Sequence, residues 1–418
     1  MKKQQRNRLI VAAVLTVLCA LLALVPFTGL EAQGKGVLIV FVWAILMWIV
    51  RPIPEYLIGV LAAAVLAIFF GMKTNVVSGF SSSGWWLCLW AGFIGSAIKF
   101  SGLGERVAYW ILVKMGKTEL MANYATSIAN TVLSLMIPSN TARGAVMSPI
   151  CDNICEGMGY KRGEHKGDAA IMLSNLFTNT TNTWLFYTAV GANAIGMALV
   201  TEVTGQEISW TGWLQATFIP AGITLLLIPI LCHLLFGAKK GEKREIDITF
   251  AKEKPIITWE HVEQNLMWGM FFLFAGGTAF GALVNGSGAS EVFAGLIARF
   301  PVHNTFLLVL IIVTLNVVLS DVINNTACAA VTIPIVIGIA QGLSLPVIPY
   351  LWVATVSYNL SYTLPTSIRS IPIGYGLSPR YMFVRGIVLT VVMVLAVSVI
   401  GWALITFWPG FSVLTNVG

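Results

Sequence analysis

Charged residues are scarce in this chain of 418 residues. Lys, Arg, Asp and Glu together make up 10% of it, whereas an average soluble domain contains about 25%. So few charges cannot cover the surface of a soluble protein of this length, particularly as apolar residues make up 57%. The composition therefore excludes most soluble folds, and it excludes intrinsic disorder, which requires high charge and low hydrophobicity. It indicates a membrane protein that is solvated largely by lipid.

The residues that build metal centres and acid–base sites are also sparse. The four histidines are scattered, and the six cysteines form no C-x-x-C pair, so neither a zinc site nor a redox motif is predicted. We interpret the cysteines as small buried hydrophobic residues; they are Cys19, Cys88, Cys151, Cys155, Cys232 and Cys328. An embedded enzyme is disfavoured, because no convergent acid, base or Asp-rich motif occurs. The net charge of +7 lies in particular loops and shows no nucleic-acid footprint.

Long apolar stretches fill most of the chain. A spanning helix needs about 20 apolar residues. The predicted crossings, two of them with a polar interruption, are 9–27, 36–50, 54–72, 84–100, 168–200, 212–236, 266–284, 346–375 and 382–407. The first stretch could be a signal peptide, but its apolar run is long and no small-residue cleavage site follows it. A retained helix is therefore expected.

Two further apolar stretches, 120–157 and 302–342, are each split by a polar tip. A re-entrant hairpin, which enters and leaves on one side of the membrane, explains both. It keeps the later basic loops in the cytoplasm, as the positive-inside rule requires. The amino terminus then lies inside and the carboxyl terminus outside. A single crossing at either hairpin would place those basic loops outside.

The two halves of the chain resemble each other. Matched landmarks recur 183 to 186 residues apart: 139–141 with 324–326, 174–183 with 358–367, 101–102 with 287–288, and 190–191 with 373–374. Because one hairpin opens inward and the other outward, the copies have opposite topology. Inverted repeats of this kind are typical of secondary transporters, whose site lies at the repeat interface near the membrane midplane.

The segments 174–183 and 358–367 are polar but uncharged. One such segment alone would usually be a surface loop. Two at matching repeat positions, each paired with a polar tip, instead indicate broken helices that line a wet cavity, since irregular backbone at membrane depth survives only there. Half-helix starts favour carboxylates, and half-helix ends with Ser, Thr and Asn oxygens suit sodium. We predict a carrier for anions.

Three charged residues lie close to these polar elements. Arg143 could bind the anion or extend to the cytoplasmic edge, and Arg369 is expected to extend there. Asp321 could bind a cation or cap the second tip. A cation/proton antiporter with the same hairpins would need paired carboxylates, and Asp321 stands alone.

The motifs P-S-N-T-A-R at 138–143, N-N-T-A at 324–327 and A-G-G at 275–277 resemble the divalent anion:sodium symporter family over nearly the whole chain. The resemblance implies an all-α polytopic fold with an inverted repeat, two re-entrant hairpins and two discontinuous helices. It also implies an elevator-type homodimer in the plasma (inner) membrane that moves dicarboxylates or citrate. Its partners would be this substrate, the lipid bilayer and a second copy, with no nucleic acid.

The resemblance also implies site residues. Those for the substrate are Ser139, Asn140, Thr141, Thr181, Thr183, Asn324, Asn325, Thr326, Pro365 and Thr366. Those for sodium, if transport is sodium-coupled, are Ser139, Asn140, Asn179, Asp321, Asn325 and Thr363. No cofactor and no other metal is expected. The first motif is closer to the branch of bacterial citrate/succinate and plastid 2-oxoglutarate/malate exchangers, which favours exchange over sodium symport.

The chain departs from the family pattern at two places. Asn324 stands where the family usually has Ser, and a helix pair is absent ahead of Ala275. The predicted division is 1–118 for scaffold helices with an interfacial helix, 119–237 for the first transport half, 238–263 for a basic cytoplasmic linker, 264–300 for a scaffold helix with an interfacial helix, and 301–418 for the second transport half.

Overall fold

The computed structural model of this chain is built from helices. It describes residues 3–25, 32–72, 78–81, 83–115, 118–205, 207–238, 272, 275, 304–323, 325–364, 369 and 371–412. The helices are α1 (Lys3–Leu24), α2 (Ala32–Val50), α3 (Glu55–Phe69), α4 (Ser78–Ser81), α5 (Ser83–Phe100), α6 (Leu103–Met115), α7 (Glu119–Met136), α8 (Asn140–Gly157), α9 (Asp168–Thr181), α10 (Gly191–Thr204), α11 (Trp210–Phe236), α12 (Thr305–Val322), α13 (Asn325–Gly342), α14 (Val347–Ser357), α15 (Ile371–Gly374) and α16 (Pro379–Phe407). Short 3-10 turns lie at Asn182–Trp184, Tyr187–Ala189 and Pro409–Ser412. Since the described residues contain no β-strand, the predicted all-α class is confirmed.

Apolar surface covers the outside of the helices. In the described part of the chain, five helices are long and apolar enough to cross a membrane: α1, α11, α12, α13 and α16. On α11, for example, Phe218 and Leu234 are 65% and 71% exposed. Exposed side chains of this kind are stable in hydrocarbon and not in water. The protein is therefore a membrane protein, as its composition indicates.

Polar side chains fix the helix starts. Thr118 and Ser139 are the N-caps of α7 and α8, and they accept hydrogen bonds from Met121 N and Ala142 N. Asn304 caps α12 in the same way. Each cap satisfies a backbone N–H group that has no partner inside its helix, and such a cap stabilises a helix by about 1 kcal/mol.

The two hairpins are built alike. Their arms α7, α8, α12 and α13 each have 18 residues, and α12 and α13 begin 186 and 185 residues after α7 and α8. Pro149 and Pro334 lie inside α8 and α13, again 185 residues apart. This agreement supports the predicted internal repeat.

The helix breaks only partly follow the prediction. The polar segment 174–183 was expected to be irregular, but α9 continues to Thr181, and the irregular turns lie at 182–190. The expectation was wrong because the polar groups are satisfied within the helix: Thr178 Oγ1 donates to Ser174 O at 2.5 Å, and Thr180 Oγ1 donates to Phe177 O at 3.0 Å. In the second half, α14 ends at Ser357 and the irregular stretch begins at Tyr358, as predicted.

The helices after the breaks cross between the halves. In the first half α9 packs on α7, α8 and α11, but α10 packs on α13. In the second half α14 packs on α12 and α13, but α15 packs on α8. Gly196 of α10 lies so close to Ile333 of α13 that a Cβ there would be 3.1 Å from Ile333 Cδ1. Each half therefore completes the packing of the other.

The loop between α8 and α9 also joins the two halves. Arg162 forms an ion pair with Asp152, and its guanidinium carbon lies 5.5 Å from the ring centroid of Tyr375. His165 stacks on Tyr381 at 4.3 Å between centroids. Burial, and then the nearby carboxylate of Glu119, raise the pKa of the Tyr160 phenol, which keeps it protonated as a hydrogen-bond donor to Glu119.

Several predictions concern other parts of the chain. Cys19, Cys151, Cys155, Cys232 and Cys328 are buried free thiols, which confirms their interpretation as small hydrophobic residues. The side chain of Cys88 lies outside the described part. So do nearly all of the predicted linker 238–263 and of the segment 264–300. The division into domains remains a prediction.

Candidate functional site

The tip of the first hairpin is a three-residue break between α7 and α8, residues 137–139. Ser139 is buried, and its hydroxyl accepts the N–H of Ala142 at 3.1 Å. Asn140 is half-buried and Thr141 is exposed. The predicted Ser-Asn-Thr motif thus occupies the start of α8, where the helix dipole favours negative charge.

Arg143 lies at the centre of this tip and is completely buried. Its Nε donates to Asn179 Oδ1 at 2.8 Å, and its Nη2 donates to Asn140 Oδ1 at 2.7 Å. Its Nη1 donates to Ile137 O at 2.6 Å and to Ala189 O at 3.0 Å. Arg143 therefore does not extend to the membrane edge. It bridges the first tip, the end of α9 and the start of α10.

All of these acceptors are neutral. Among the described residues, no carboxylate lies within ion-pair distance of Arg143. A buried charge is costly unless it is paired or hydrogen-bonded, and hydrogen bonds alone offset only part of the cost. Arg143 therefore keeps a positive charge that none of the described carboxylates pairs with, while neutral oxygens accept all of its N–H groups.

The end of α9 is bonded to the first tip. Asn179, a predicted cation ligand, is fully buried, and its Nδ2 donates to Asn140 O at 2.9 Å. One helical turn earlier, Asn130 of α7 donates from Nδ2 to Asn175 Oδ1 at 2.9 Å. Amide groups thus join α7 and α8 to α9, together with the guanidinium of Arg143.

The two helix breaks meet in the core. Thr181 Oγ1 and Tyr362 Oη are 2.8 Å apart, and Phe177 packs edge-on against the Tyr362 ring. Asn193 Nδ2 donates to Thr183 O at 2.6 Å, which closes the first break, and its Oδ1 accepts from Tyr358 Oη at 3.5 Å. The two breaks therefore contact each other across the halves, whereas the meeting of all four polar elements stays a prediction.

Thr183 itself is buried, with its hydroxyl donating to Thr180 O at 2.6 Å. This bond directs the hydroxyl to its own helix. The prediction of Thr183 as a substrate ligand is untested by this geometry and stays a prediction.

The second tip is bonded to the second break. Asn325 Nδ2 donates to Asn359 Oδ1 at 2.8 Å, so in each half the asparagine at the start of the second hairpin arm is bonded to the polar segment 174–183 or 358–367. Asn325 and Thr326 are half-buried at the start of α13. The predicted residues Asn324, Pro365 and Thr366 lie outside the described residues.

Asp321, at the end of α12, is surrounded by donors. Thr363 Oγ1 donates to Asp321 Oδ2 at 2.6 Å, and Arg369 Nη1 lies 3.3 Å from Asp321 Oδ1. Arg369 is 2% exposed, so the expectation that it extends to the cytoplasmic edge was wrong. Its long side chain instead satisfies the carboxylate and donates to Ser320 O and Asp321 O at 3.1 and 3.2 Å.

The sequence pattern missed part of this site. Asn193 and the start of α10 at Gly191 contribute to it, but neither was among the predicted ligands, whereas the role of Arg143 was left open between anion binding and extension to the cytoplasmic edge. Val190, the N-cap of α10, provides no side-chain cap, which leaves the start of this helix suited to an anion. In the sequence, the recurrence of residues 190–191 at 373–374 marks the start of α10, but this recurrence indicates the repeat and not a ligand.

No group of three or more His, Cys, Asp or Glu side chains that could hold a metal ion occurs in the part of the chain that the structure describes. The polar groups of the site are instead amides, hydroxyls, backbone groups, two arginines and the carboxylate of Asp321. The amides, hydroxyls and guanidiniums of such a set are hydrogen-bond donors suited to an anion.

A family profile described as the sodium:sulfate symporter transmembrane region matches residues 4–255, more than half of the chain. The chain belongs to this family. Because this family consists of transporters, the protein is not a membrane-embedded enzyme. The match also confirms the resemblance to the divalent anion:sodium symporter family that the motifs indicate.

Several curated relatives of this chain are carriers by name. The putative malate transporter YflS of Bacillus subtilis (strain 168) is 31% identical over 214 residues, which cover 50% of this chain and 45% of the relative. The chloroplastic dicarboxylate transporter 1 of Spinacia oleracea is 29% identical over 216 residues, covering 50% of this chain and 37% of the relative. The citrate/succinate antiporter of Escherichia coli (strain K12) is 27% identical over 242 residues, covering 52% and 50%. In each case the match spans half of the relative's length or less.

The fold also has a solved counterpart. The crystal structure of the YdaH transporter of Alcanivorax borkumensis matches with a TM-score of 0.61 and 13% identity, covering 90% of this chain and 99% of that one. At this identity the likeness shows the fold alone. It supports an all-helical membrane transporter fold for this protein.

Proposed function

We propose that this protein is a secondary carrier that exchanges dicarboxylates of the malate, succinate and 2-oxoglutarate class across the plasma (inner) membrane, with citrate as a further candidate. The observation that carries the proposal is Arg143, a fully buried guanidinium with neutral partners that joins the first tip to both parts of the broken helix. The names of the relatives agree with this substrate class.

The charge of the site favours a dianion. A helix start carries about +0.5 elementary charge. The starts of α8 and α13 lie at the two tips, and together with Arg143 they present about two positive charges. Asp321 and Arg369 neutralise each other. A dicarboxylate would therefore match the site more closely than a tricarboxylate.

The arginines also favour exchange over sodium symport. Asn140 and Asn179, both predicted sodium ligands, already offer their side-chain oxygens to Arg143. Asp321 and Thr363, predicted for the second sodium site, are bonded to each other beside Arg369. A fixed guanidinium takes the electrostatic role of a coupling cation. An empty carrier would retain its buried charge, which opposes its return across the membrane without a substrate.

The transport movement is proposed to be an elevator motion of a homodimer. Because α10 packs on α13 and α15 packs on α8, both hairpins and both breaks form one packed unit. Helix α2 contacts this unit at α13. The breaks between the paired arms support re-entrant hairpins that end at the site. The positions of the basic loops support a cytoplasmic amino terminus and an outer carboxyl terminus.

Counterflow in proteoliposomes tests the proposed function. Vesicles loaded with unlabelled malate are expected to take up labelled succinate or 2-oxoglutarate, whereas empty vesicles are not. The rate is expected to be the same with and without a sodium gradient. The absence of uptake of any di- or tricarboxylate would refute the carrier, and uptake that requires sodium would refute the exchange mechanism.

The two tip asparagines should be needed for substrate affinity. Replacing Asn140 or Asn325 with Ala removes a side chain that is half-buried at a helix start. Loss of a hydrogen bond to a charged carboxylate costs about 1.5–3 kcal/mol, so the KM for exchange should rise about tenfold or more. Initial counterflow rates over a range of substrate concentrations measure it.

Asn153→Ala provides the matched control for these variants. Asn153 lies on α8 but is exposed, and its Nδ2 donates to Tyr109 Oη at 3.2 Å. This variant should exchange substrate with an unchanged KM. If Asn140→Ala and Asn325→Ala behave like Asn153→Ala, the tips do not contact the substrate.

A further inference from the structure

Arg51 connects the amino-terminal helices to the tip of the second hairpin. It follows the last residue of α2, and its Nη2 donates to Val322 O at 2.7 Å. Val322 ends α12, one residue from the buried Ile323 and close to Asn325. The contact joins positions 271 residues apart in the chain.

The backbone at Arg51 is held in an unusual conformation. Its φ is +53°, in the left-handed region that residues other than glycine rarely adopt. Pro52 and Pro54 follow, and proline restricts both its own backbone and that of the residue before it. The backbone that carries the Arg51 side chain is therefore conformationally restricted.

The end of α12 is bonded to two different parts of the molecule. The carbonyls of Ser320 and Asp321 accept hydrogen bonds from Arg369, which belongs to the same half as α12. The carbonyl of Val322 accepts from Arg51, which belongs to the predicted scaffold. Carbonyl groups at a helix end carry partial negative charge, so both guanidiniums are attracted to them.

We infer that Arg51 is a positioning residue that latches the second hairpin to the scaffold in one conformation of the transport cycle. The inference rests on the proposed function, because a latch matters only if the unit that carries α12 moves. Arg369 moves with α12 and keeps its bonds, whereas the bond from Arg51 to Val322 has to break. Loss of this bond therefore weakens one conformation relative to the other while the substrate site remains intact.

Single-molecule fluorescence energy transfer tests the latch. Fluorophores are attached through unnatural amino acids at positions 69 and 341, which are exposed on α3 and α13. Arg51→Gln removes the charged donor. Because a hydrogen bond from a charged group is worth a factor of about ten or more, the ratio of the second distance population to the first should rise about tenfold. Because the substrate site stays intact, the KM for counterflow should change by no more than the fraction of the substrate-accessible conformation changes.

Arg51→Lys and Arg106→Gln complete the experiment. Lys keeps the charge but not the reach or planarity of the guanidinium, so it should shift the populations in the same direction by less. If Arg51→Gln does not fold, the Arg51→Lys variant alone tests the latch. Arg106 is exposed on α6, and its replacement should leave the populations unchanged. Wild-type populations in the Arg51 variants would overturn the latch, whereas failure of the wild type to exchange carboxylates would overturn only the proposed function.

Discussion

Replacing Arg143 with Gln is expected to reduce the rate of carboxylate exchange by about 100-fold or more. The guanidinium donates to the carbonyls of Ile137 and Ala189 and to the side chains of Asn140 and Asn179. Gln is too short to satisfy them, and each buried group left without a partner costs about 1–3 kcal/mol. The variant also loses the fixed charge that attracts the anion. Initial counterflow rates of reconstituted protein measure the effect.

Arg143→Lys separates charge from geometry. Lys keeps the positive charge, but its single ammonium group cannot bridge the tip, α9 and α10 at once. It should recover substrate binding in part and exchange very little. Arg380→Gln, at an exposed position on α16, serves as the control and should exchange normally. If Arg143→Gln protein that is monodisperse in detergent exchanges at the wild-type rate, the anion does not bind beside Arg143.

Gly386→Ala should disrupt the second half of the site from a distance. A Cβ at Gly386 of α16 would lie 2.3 Å from Tyr362 O and 3.4 Å from Thr363 Cα. Backbone atoms cannot rotate away as a flexible side chain can, so the irregular stretch must shift. Such overpacking costs about 1–3 kcal/mol. Because Thr363 holds Asp321, a displacement of about 1 Å in this stretch could lower the exchange rate about 100-fold.

Gly222→Ala is the matched control for Gly386→Ala. Gly222 also lies inside a long apolar helix, α11, but a Cβ there would meet no atom within 4 Å. Ala favours the helix over Gly, so this variant should be as stable as the wild type or slightly more so. Thermal unfolding in detergent and counterflow compare the two variants. Equal melting temperatures for both would show that the second break tolerates displacement.

The hairpin tips could be located from the sequence because a polar motif inside an apolar stretch has few explanations. Ser139 caps α8 and Asn140 lies at its first turn, and Asn325 has the corresponding place in α13. The repeat then identified the equivalent positions. These inferences depend only on spacing and polarity, which the sequence contains in full.

The first helix break could not be located in the same way. Hydropathy does not distinguish a polar residue in a loop from one that bonds its own helix, as Thr178 and Thr180 do. The break instead lies at 182–190, where Asn193 ties it to Thr183 O. The ion pair of Arg369 with Asp321 could not be predicted for a related reason. Asp321 lies 48 residues earlier, and the pattern of charges along the sequence does not show which distant residues meet.

The crossing of α10 and α15 between the halves has a consequence for biogenesis. Helix α10 packs on α13 at Gly196 and Ile333, and α13 begins more than 120 residues later in the chain. During synthesis α10 is complete long before its partner exists. Contacts between residues so distant in sequence form late, because a long loop must close first. The surface of α10 that contacts α13 therefore stays uncovered in the bilayer at first. The amino-terminal half reaches its final structure only after α13 has been synthesised and inserted.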